Sequence, residues 1–337
     1  MAPGVLAPRF MTRRAKFASS AMVLAVLLLA PLVAVVVGCP TSNRAEAAPA
    51  PAPVIVSPGE AASLVKAGGD LRLIDLRKAE EVEASRVAGA HTLDMRALLE
   101  RSRQPGSGFD NPSSWTGAFR DLGIGRQTRV LLVGGSSPVG ASAVWFHLQR
   151  LGFPNASVVN GGFAALKEAL AGDRLVSGPV DVPTPAKEPF VPTSKPVFVT
   201  SADKASVRAR LGTRDAVLLD VRRPAEFDGS EVMKGNPRGG HIPGSRSLPH
   251  ATLLDEKGAF LAPDALRAML EAAGLKPSDR VVVYCQSGGR SSVAAAALAA
   301  AGFTKVEHYL GGFGEWSADA SCPVEAEAPA PPAARTK

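Results

Sequence analysis

The stretch VVVYCQSGGRSS, Val281 to Ser292, decides the reading of this chain. Val281, Val282, Val283 and Tyr284 form a short apolar, β-branched run suited to a buried parallel strand, which puts Cys285 at the strand's carboxyl end. Open α/β sheets place their ligand sites there. Beyond the loop, Ser291 or Ser292 is expected to cap a helix that continues through the alanine-rich stretch Val293 to Ala301 and stops at Gly302. Gly288 and Gly289 let the backbone curl so that successive N–H groups converge on a central anion, and Arg290 and the helix dipole add positive potential. These features favour thiolate over thiol, and the thiolate is the nucleophile. Cys285 is therefore the candidate nucleophile, with Gln286, Ser287, Gly288, Gly289 and Arg290 as its anion cradle.

Working outward, the same layout occurs twice. The second half holds AVLLDVR with Asp220 and Arg222, HIPGSRSLP around Gly244, the Cys285 loop and HYLGGFGEW around Gly311. The first half holds LRLIDLR with Asp75 and Arg77, RVAGAHTLD around Gly89, VLLVGG ending near Gly134 and VVNGGFAAL around Gly161. Each unit alternates short apolar strands with helical stretches, so a parallel α/β sheet is expected in both. Proline-rich punctuation divides the chain into an Ala/Pro-rich tether at 39–53, a first domain at 54–177, a linker at 178–196, a second domain at 197–326 and a disordered tail at 327–337.

DVR with a downstream glutamate, HIPGS, CQSGGRS and LGGFGEW together resemble a rhodanese domain, and the pair resembles a tandem-domain sulfurtransferase. The resemblance implies two mostly parallel five-stranded sheets flanked by helices. It also implies transfer of a sulfane sulfur through a persulfide on Cys285: the thiolate attacks the outer sulfur of an anionic donor such as thiosulfate, sulfite departs, and a thiophilic acceptor (cyanide, a thiol or a protein thiol) removes the sulfur. In that scheme Arg290 stabilises donor and persulfide, Asp220 and Arg222 brace the loop, and His241 packs or hydrogen-bonds rather than acting as a base.

The first domain departs from the pattern where the chemistry would sit. The position matching Cys285 is Gly134, no cysteine occurs between Cys39 and Cys285, and the GGSSPVG loop is one residue longer and lacks the arginine. A catalytically silent domain that walls the cleft is expected, with anion binding by its surviving glycines as the other reading. In the second domain, Glu226 beside Phe227 stands where two-domain members of the resembled family carry an arginine, and Lys234 or Arg238 could supply the missing contact. The loop also differs from the glycine-serine-glycine-valine-threonine type expected for mercaptopyruvate, which leaves thiosulfate, a polysulfide or a protein persulfide as donor. Two other classes stand beside the enzyme. A cysteine-based phosphatase or arsenate reductase would need five residues between Cys and Arg, and here four intervene; a non-catalytic sulfur carrier would need only the loop.

The amino terminus reads as a targeting segment, residues 1–38: a basic stretch ending at Lys16, an apolar run from Phe17 to Val37, then Gly38-Cys39. Its end resembles a lipobox, with Cys39 lipidated and the globular body held on a membrane; an uncleaved transmembrane anchor is the alternative, and Met11 could serve as the start. Both place the body in the cell envelope, outside the cytoplasm. Of 38 basic residues, Arg9, Arg13, Arg14 and Lys16 precede the apolar run and no acid does, which leaves 34 against 31 acids. That balance is no nucleic-acid signature. Cys322, in a Ser-Cys-Pro turn, reads as an incidental thiol, with a resolving role as the other possibility. No metal motif, nucleotide loop or flavin fingerprint occurs, so no cofactor is expected.

Overall fold

The structure, a computed structural model, describes residues 50–106 and 108–326. The targeting segment, Cys39 and the tail 327–337 lie outside the described residues. Twelve strands occur among them: β1 (Ile55–Val56), β2 (Leu71–Asp75), β3 (Arg86–Val87), β4 (Ala90–Thr92), β5 (Arg129–Val133), β6 (Ala156–Val159), β7 (Leu175–Val176), β8 (Val199–Ala202), β9 (Val217–Asp220), β10 (Arg246–Ser247), β11 (Arg280–Tyr284) and β12 (Lys305–Tyr309). They build two five-stranded sheets, ordered β1-β6-β5-β2-β4 and β10-β9-β11-β12-β8, in which every neighbouring pair is parallel. Strands β3 and β7 make a separate antiparallel ribbon. Two parallel α/β sheets with flanking helices are thus the architecture, as the alternation of apolar runs and helical stretches predicts.

Position within each sheet follows from composition. Strand β11 is the middle strand of its sheet, covered on both faces, and Val281, Val282, Val283 and Tyr284 are all fully buried. A strand with no solvent face must be apolar throughout rather than alternating. Its register sets Tyr284 between Asp220 of β9 and Tyr309 of β12, so Cys285 leaves the sheet at its centre. Strand β5 occupies the same middle place in the first sheet and delivers Gly134.

The helix Gly289–Ala300 packs against Val139–Arg150 of the first domain. Val293 to Leu298 are completely buried, and their small alanine side chains let the two helices approach. One apolar core runs through both domains, joining Ile74, Val130 and Phe146 to Leu219, Val283 and Ala294. Gln149 fastens the join: its Nε2 donates to the Val199 carbonyl at 3.0 Å, and its Oε1 accepts the N–H groups of Phe198 and Val199, each at 3.0 Å.

Two connecting segments are more engaged than their composition suggests. The proline-rich linker lies along the first domain, where the N–H groups of Ala186, Phe190 and Thr193 donate to the carbonyls of Arg120, Ile124 and Leu151. At the other end the expected tether stops short of residue 53, because the Ala52 N–H donates to the Pro154 carbonyl at 2.9 Å and Val54 is buried. Among the described residues, no helix is long and apolar enough to cross a membrane.

Candidate active site

The Cys285 loop is held from behind by the motif LGGFGEW. The helix Gly312–Ala318 turns its first N–H groups toward the loop: Phe313 donates to the Cys285 carbonyl at 2.7 Å and Gly314 to the Gln286 carbonyl at 2.9 Å. With those carbonyls tied back, the Gly288 N–H turns toward the sulfur. Gly312, at φ +60°, has to be glycine, since a Cβ there would lie 2.4 Å from the Cys285 carbonyl oxygen. From the other side the Asn236 and Gln286 amides bond reciprocally, at 2.6 and 3.1 Å, and strap the loop to the segment between Phe227 and His241.

Cys285 is buried, with its sulfur at the centre of this loop. The Gly288 N–H donates to Sγ at 3.2 Å, and the Ser291 hydroxyl lies 3.3 Å from it. The expected serine caps do not form. Gly288, in the left-handed region at φ +100°, takes the N-cap position, so Ser291 and Ser292 fall inside the first turn, where both hydroxyls reach back to the Gly288 carbonyl. His308, fully buried on β12, places Nε2 2.7 Å from the Ser291 Oγ. The sequence signal for it was slight, because His308 shares its short strand with Lys305, Glu307 and Tyr309 and stands out from none of them.

Arg290 also departs from expectation. Rather than pointing both arms at the anion site, it donates Nη1 and Nη2 to the Glu226 carboxylate at 2.6 and 2.9 Å. Glu226 is fully buried, and burial alone would raise its carboxyl; the hydrogen bonds from Arg290 and Arg223 outweigh that and hold it down at about 2. A half-buried guanidinium takes the nearest buried carboxylate, so this pair fixes the arginine beside the loop. Its charge remains within electrostatic reach of Cys285. The place that lacks the resembled family's arginine is therefore filled by a counter-charge for Arg290. Arg238 does not supply the missing contact either, because its guanidinium donates to the Ser317, Asp319 and Cys322 carbonyls. Lys234 is exposed.

Asp220 and Arg222 lie at the end of β9 and contact each other rather than the sulfur. Arg222 is 1% exposed, donates Nε and Nη2 to the carboxylate at 2.6 to 3.0 Å, reaches the Gly240 carbonyl at 2.7 Å, and sits 4.0 Å from the centroid of Phe313. The HIPGS segment is hung on the sheet through the Tyr284 hydroxyl, which accepts from the Ile242 N–H at 3.2 Å and donates to Ser245 Oγ at 2.9 Å. His241 stacks on Phe227 with centroids 3.7 Å apart and bonds its carbonyl through Nδ1 at 2.8 Å. Cys322, in its turn, is buried in the same apolar cluster as Trp316, and both it and Cys285 are free thiols.

The first domain repeats the Asp-Arg clamp, the ring over the guanidinium and the first tie of the loop. Arg77 pairs with Asp75, lies 3.4 Å from the Phe163 centroid and donates to the Ser85 carbonyl at 2.7 Å; Phe163 N–H ties back the Gly134 carbonyl at 2.9 Å. A Cβ on Gly134, however, would meet the Ser137 carbonyl oxygen at 3.0 Å. An acceptor thus faces the position where an N–H faces Sγ in the second domain, and Pro138 has no N–H to offer. A carbonyl oxygen at that place repels an anion rather than attracting one. The loop serves instead as a contact surface: the Ser136 carbonyl abuts Gly258, Asn160 exchanges hydrogen bonds with the Phe260 backbone at 2.7 and 2.9 Å, and Val139 lies against Gly289. A Gly134→Cys chain is accordingly expected to take up no sulfur at residue 134, as peptide mass mapping after thiosulfate treatment would show.

The matched pair of scaffolds, each with its Asp-Arg clamp and tied-back loop, is decisive together with a direct family match. The rhodanese-like domain family matches residues 57–169 and again 203–319. The chain belongs to that family. A putative thiosulfate sulfurtransferase, SseB, of Mycobacterium tuberculosis is 29% identical over 290 residues, spanning 80% of this chain and 96% of its own. Thiosulfate sulfurtransferase of Azotobacter vinelandii is 28% identical over 276 residues, covering 81% and 97% of the two chains, and 3-mercaptopyruvate sulfurtransferase of Escherichia coli is 28% identical over 254, covering 74% and 87%. Among solved structures, that of YnjE superposes with a TM-score of 0.70 at 23% identity, over 82% of this chain and 69% of that one. As rhodanese-like domains, both halves keep the family fold, and the second alone carries a cysteine on its loop.

Proposed function

We propose that this tandem rhodanese-like protein is a sulfurtransferase whose Cys285 carries the transferred sulfur as a persulfide. The observation that supports this most is the sulfur's setting: a buried Sγ at the end of a central parallel strand, facing the Gly288 N–H and the Ser291 hydroxyl on a loop whose carbonyls are tied away. The thiolate attacks the outer sulfur of thiosulfate, forming the S–S bond of the persulfide, and the donor's S–S bond breaks with its electron pair leaving on sulfite. Cyanide or another thiophile then bonds the outer sulfur, and the pair of the persulfide bond returns to Cys285. No net oxidant is needed. The hydrogen-bond donors serve both the thiolate and the persulfide anion, and Arg290 lends positive potential while Glu226 fixes its position.

Thiosulfate is the favoured donor over mercaptopyruvate, on loop sequence and on the two relatives named for it. Steady-state thiocyanate formation across a panel of thiosulfate, polysulfide and mercaptopyruvate tests this, with p-nitrophenyl phosphate as control. Turnover is expected with thiosulfate and none with the phosphate ester; uptake of one sulfur without turnover would make the protein a carrier instead. The phosphatase reading is disfavoured by the four-residue spacing and by the engagement of both Arg290 arms with Glu226.

Placement in the cell envelope rests on the basic stretch, apolar run and Gly38-Cys39 of the sequence. Labelling of the expressed chain with a fatty-acid analogue is expected to be lost in Cys39→Ser; retained labelling would count against lipidation at that residue.

A further inference from the structure

Behind the cysteine loop three side chains stand in line. Cys285 Sγ, Ser291 Oγ and His308 Nε2 are separated by 3.3 and 2.7 Å, and all three residues are 1% exposed or less. One hydroxyl proton must be shared among the possible acceptors around Ser291: the sulfur, the Gly288 carbonyl at 3.1 Å and His308 Nε2. The imidazole decides where it goes. His308 Nδ1 is buried and has no hydrogen-bond partner among the described residues. A proton on Nδ1 would be a buried donor without an acceptor, which is costly, whereas a bare lone pair there costs less. The single ring proton therefore belongs on Nε2, where the Gly288 carbonyl also favours it. Burial first, and His147 after it, keep the ring neutral by pushing His308 down to about 3. With Nε2–H donating to Ser291, and the Gly288 carbonyl already accepting from the Ser292 N–H at 3.0 Å and the Ser292 hydroxyl at 2.9 Å, the Ser291 hydroxyl is left to donate forward to the sulfur.

We infer that Ser291 is a direct hydrogen-bond donor to the reactive sulfur of Cys285, and that His308 is a positioning residue that fixes the Ser291 hydroxyl in that direction. The silent domain takes part, since Phe146 meets the His308 ring edge to face, with centroids 4.4 Å apart and planes at 79°, and so sets its orientation. The inference deepens the sulfurtransferase reading but needs only the thiolate, not the sulfur chemistry. The other charged or titratable groups around the sulfur are Arg290 with its partner Glu226, the Asp220–Arg222 clamp at the end of β9, and His250 beyond Arg290; His147 lies behind His308. None of these is changed by substitution at 291 or 308.

The test is the pH profile of iodoacetamide alkylation in the full chain, read on the Cys285 peptide by mass spectrometry so that Cys39 and Cys322 do not contribute. Ser291→Ala removes only a hydroxyl and is expected to move the midpoint up by about one pH unit, which makes alkylation about tenfold slower at a fixed pH below it. His308→Phe, which fits the apolar side of the ring but cannot donate, gives a shift of the same sign; His308→Leu serves in its place if phenylalanine does not fold. His308→Gln keeps an N–H within reach of Ser291 and stays near the unsubstituted midpoint. Combined with Ser291→Ala, His308→Phe adds nothing further, because one acts through the other. An unmoved midpoint in Ser291→Ala, or shifts that simply add, would overturn the inference. Alkylation requires no sulfur donor, so its outcome stands apart from that of the thiocyanate assay.

Discussion

A Cys285→Ser chain loses cyanide-dependent thiocyanate formation by more than about a thousandfold, down to the uncatalysed background. The hydroxyl that replaces the thiol stays protonated near neutral pH and is a poor nucleophile toward sulfur, and the loop contains no second group to take its place. Cys322→Ser leaves turnover intact, because that thiol is buried beside Trp316 on the far side of the sheet from the helix that follows the Cys285 loop. The pair of variants separates a reaction carried by one sulfur from one that passes between two. Turnover that survives in Cys285→Ser would remove the persulfide from the mechanism.

Asp220→Ala has the second large effect, and it acts on stability. Arg222 is 1% exposed and Asp220 not at all, so removal of the carboxylate leaves a guanidinium buried with one carbonyl partner and the Phe313 ring. Breaking one side of such a pair costs about 3–5 kcal/mol, which urea unfolding would register as a large drop in midpoint. Asp75→Ala in the first domain should behave alike, since Arg77 has the same three partners there. A drop in midpoint below about 1 kcal/mol equivalent for both variants would mean that the clamps are not what holds the strand ends.

The strand-loop-helix unit around Cys285 was legible in the sequence because its determinants are local. A β-branched run buried on both faces, glycines at a tight turn and an alanine-rich helix all lie within about twenty residues. The internal repeat was legible for the same reason, and its members recur at the level of single contacts, from Arg77 over Phe163 to Arg222 over Phe313. What was not legible depends on pairs far apart in the chain. Arg290 is turned by Glu226, 64 residues earlier, and Ser291 by His308, 17 residues later on β12, so neither direction is written in the loop itself. The helix cap was misplaced because Gly288 adopts a positive φ, which moves the helix start ahead of the serines that look like caps. Likewise the loop at Gly134 keeps its glycines while the Ser137 carbonyl comes to lie 3.0 Å from where a Cβ on Gly134 would be, an arrangement visible only once the backbone path is known.

The central claim is that one residue, Cys285, holds the sulfur in transit. Incubating the full chain with thiosulfate and mapping its peptides by mass spectrometry tests that directly. The account predicts an added mass of one sulfur on the Cys285 peptide, none on the Cys322 peptide or at Gly134, and its removal by cyanide. Turnover with thiosulfate in the absence of any adduct on Cys285, or an adduct carried elsewhere, would contradict it.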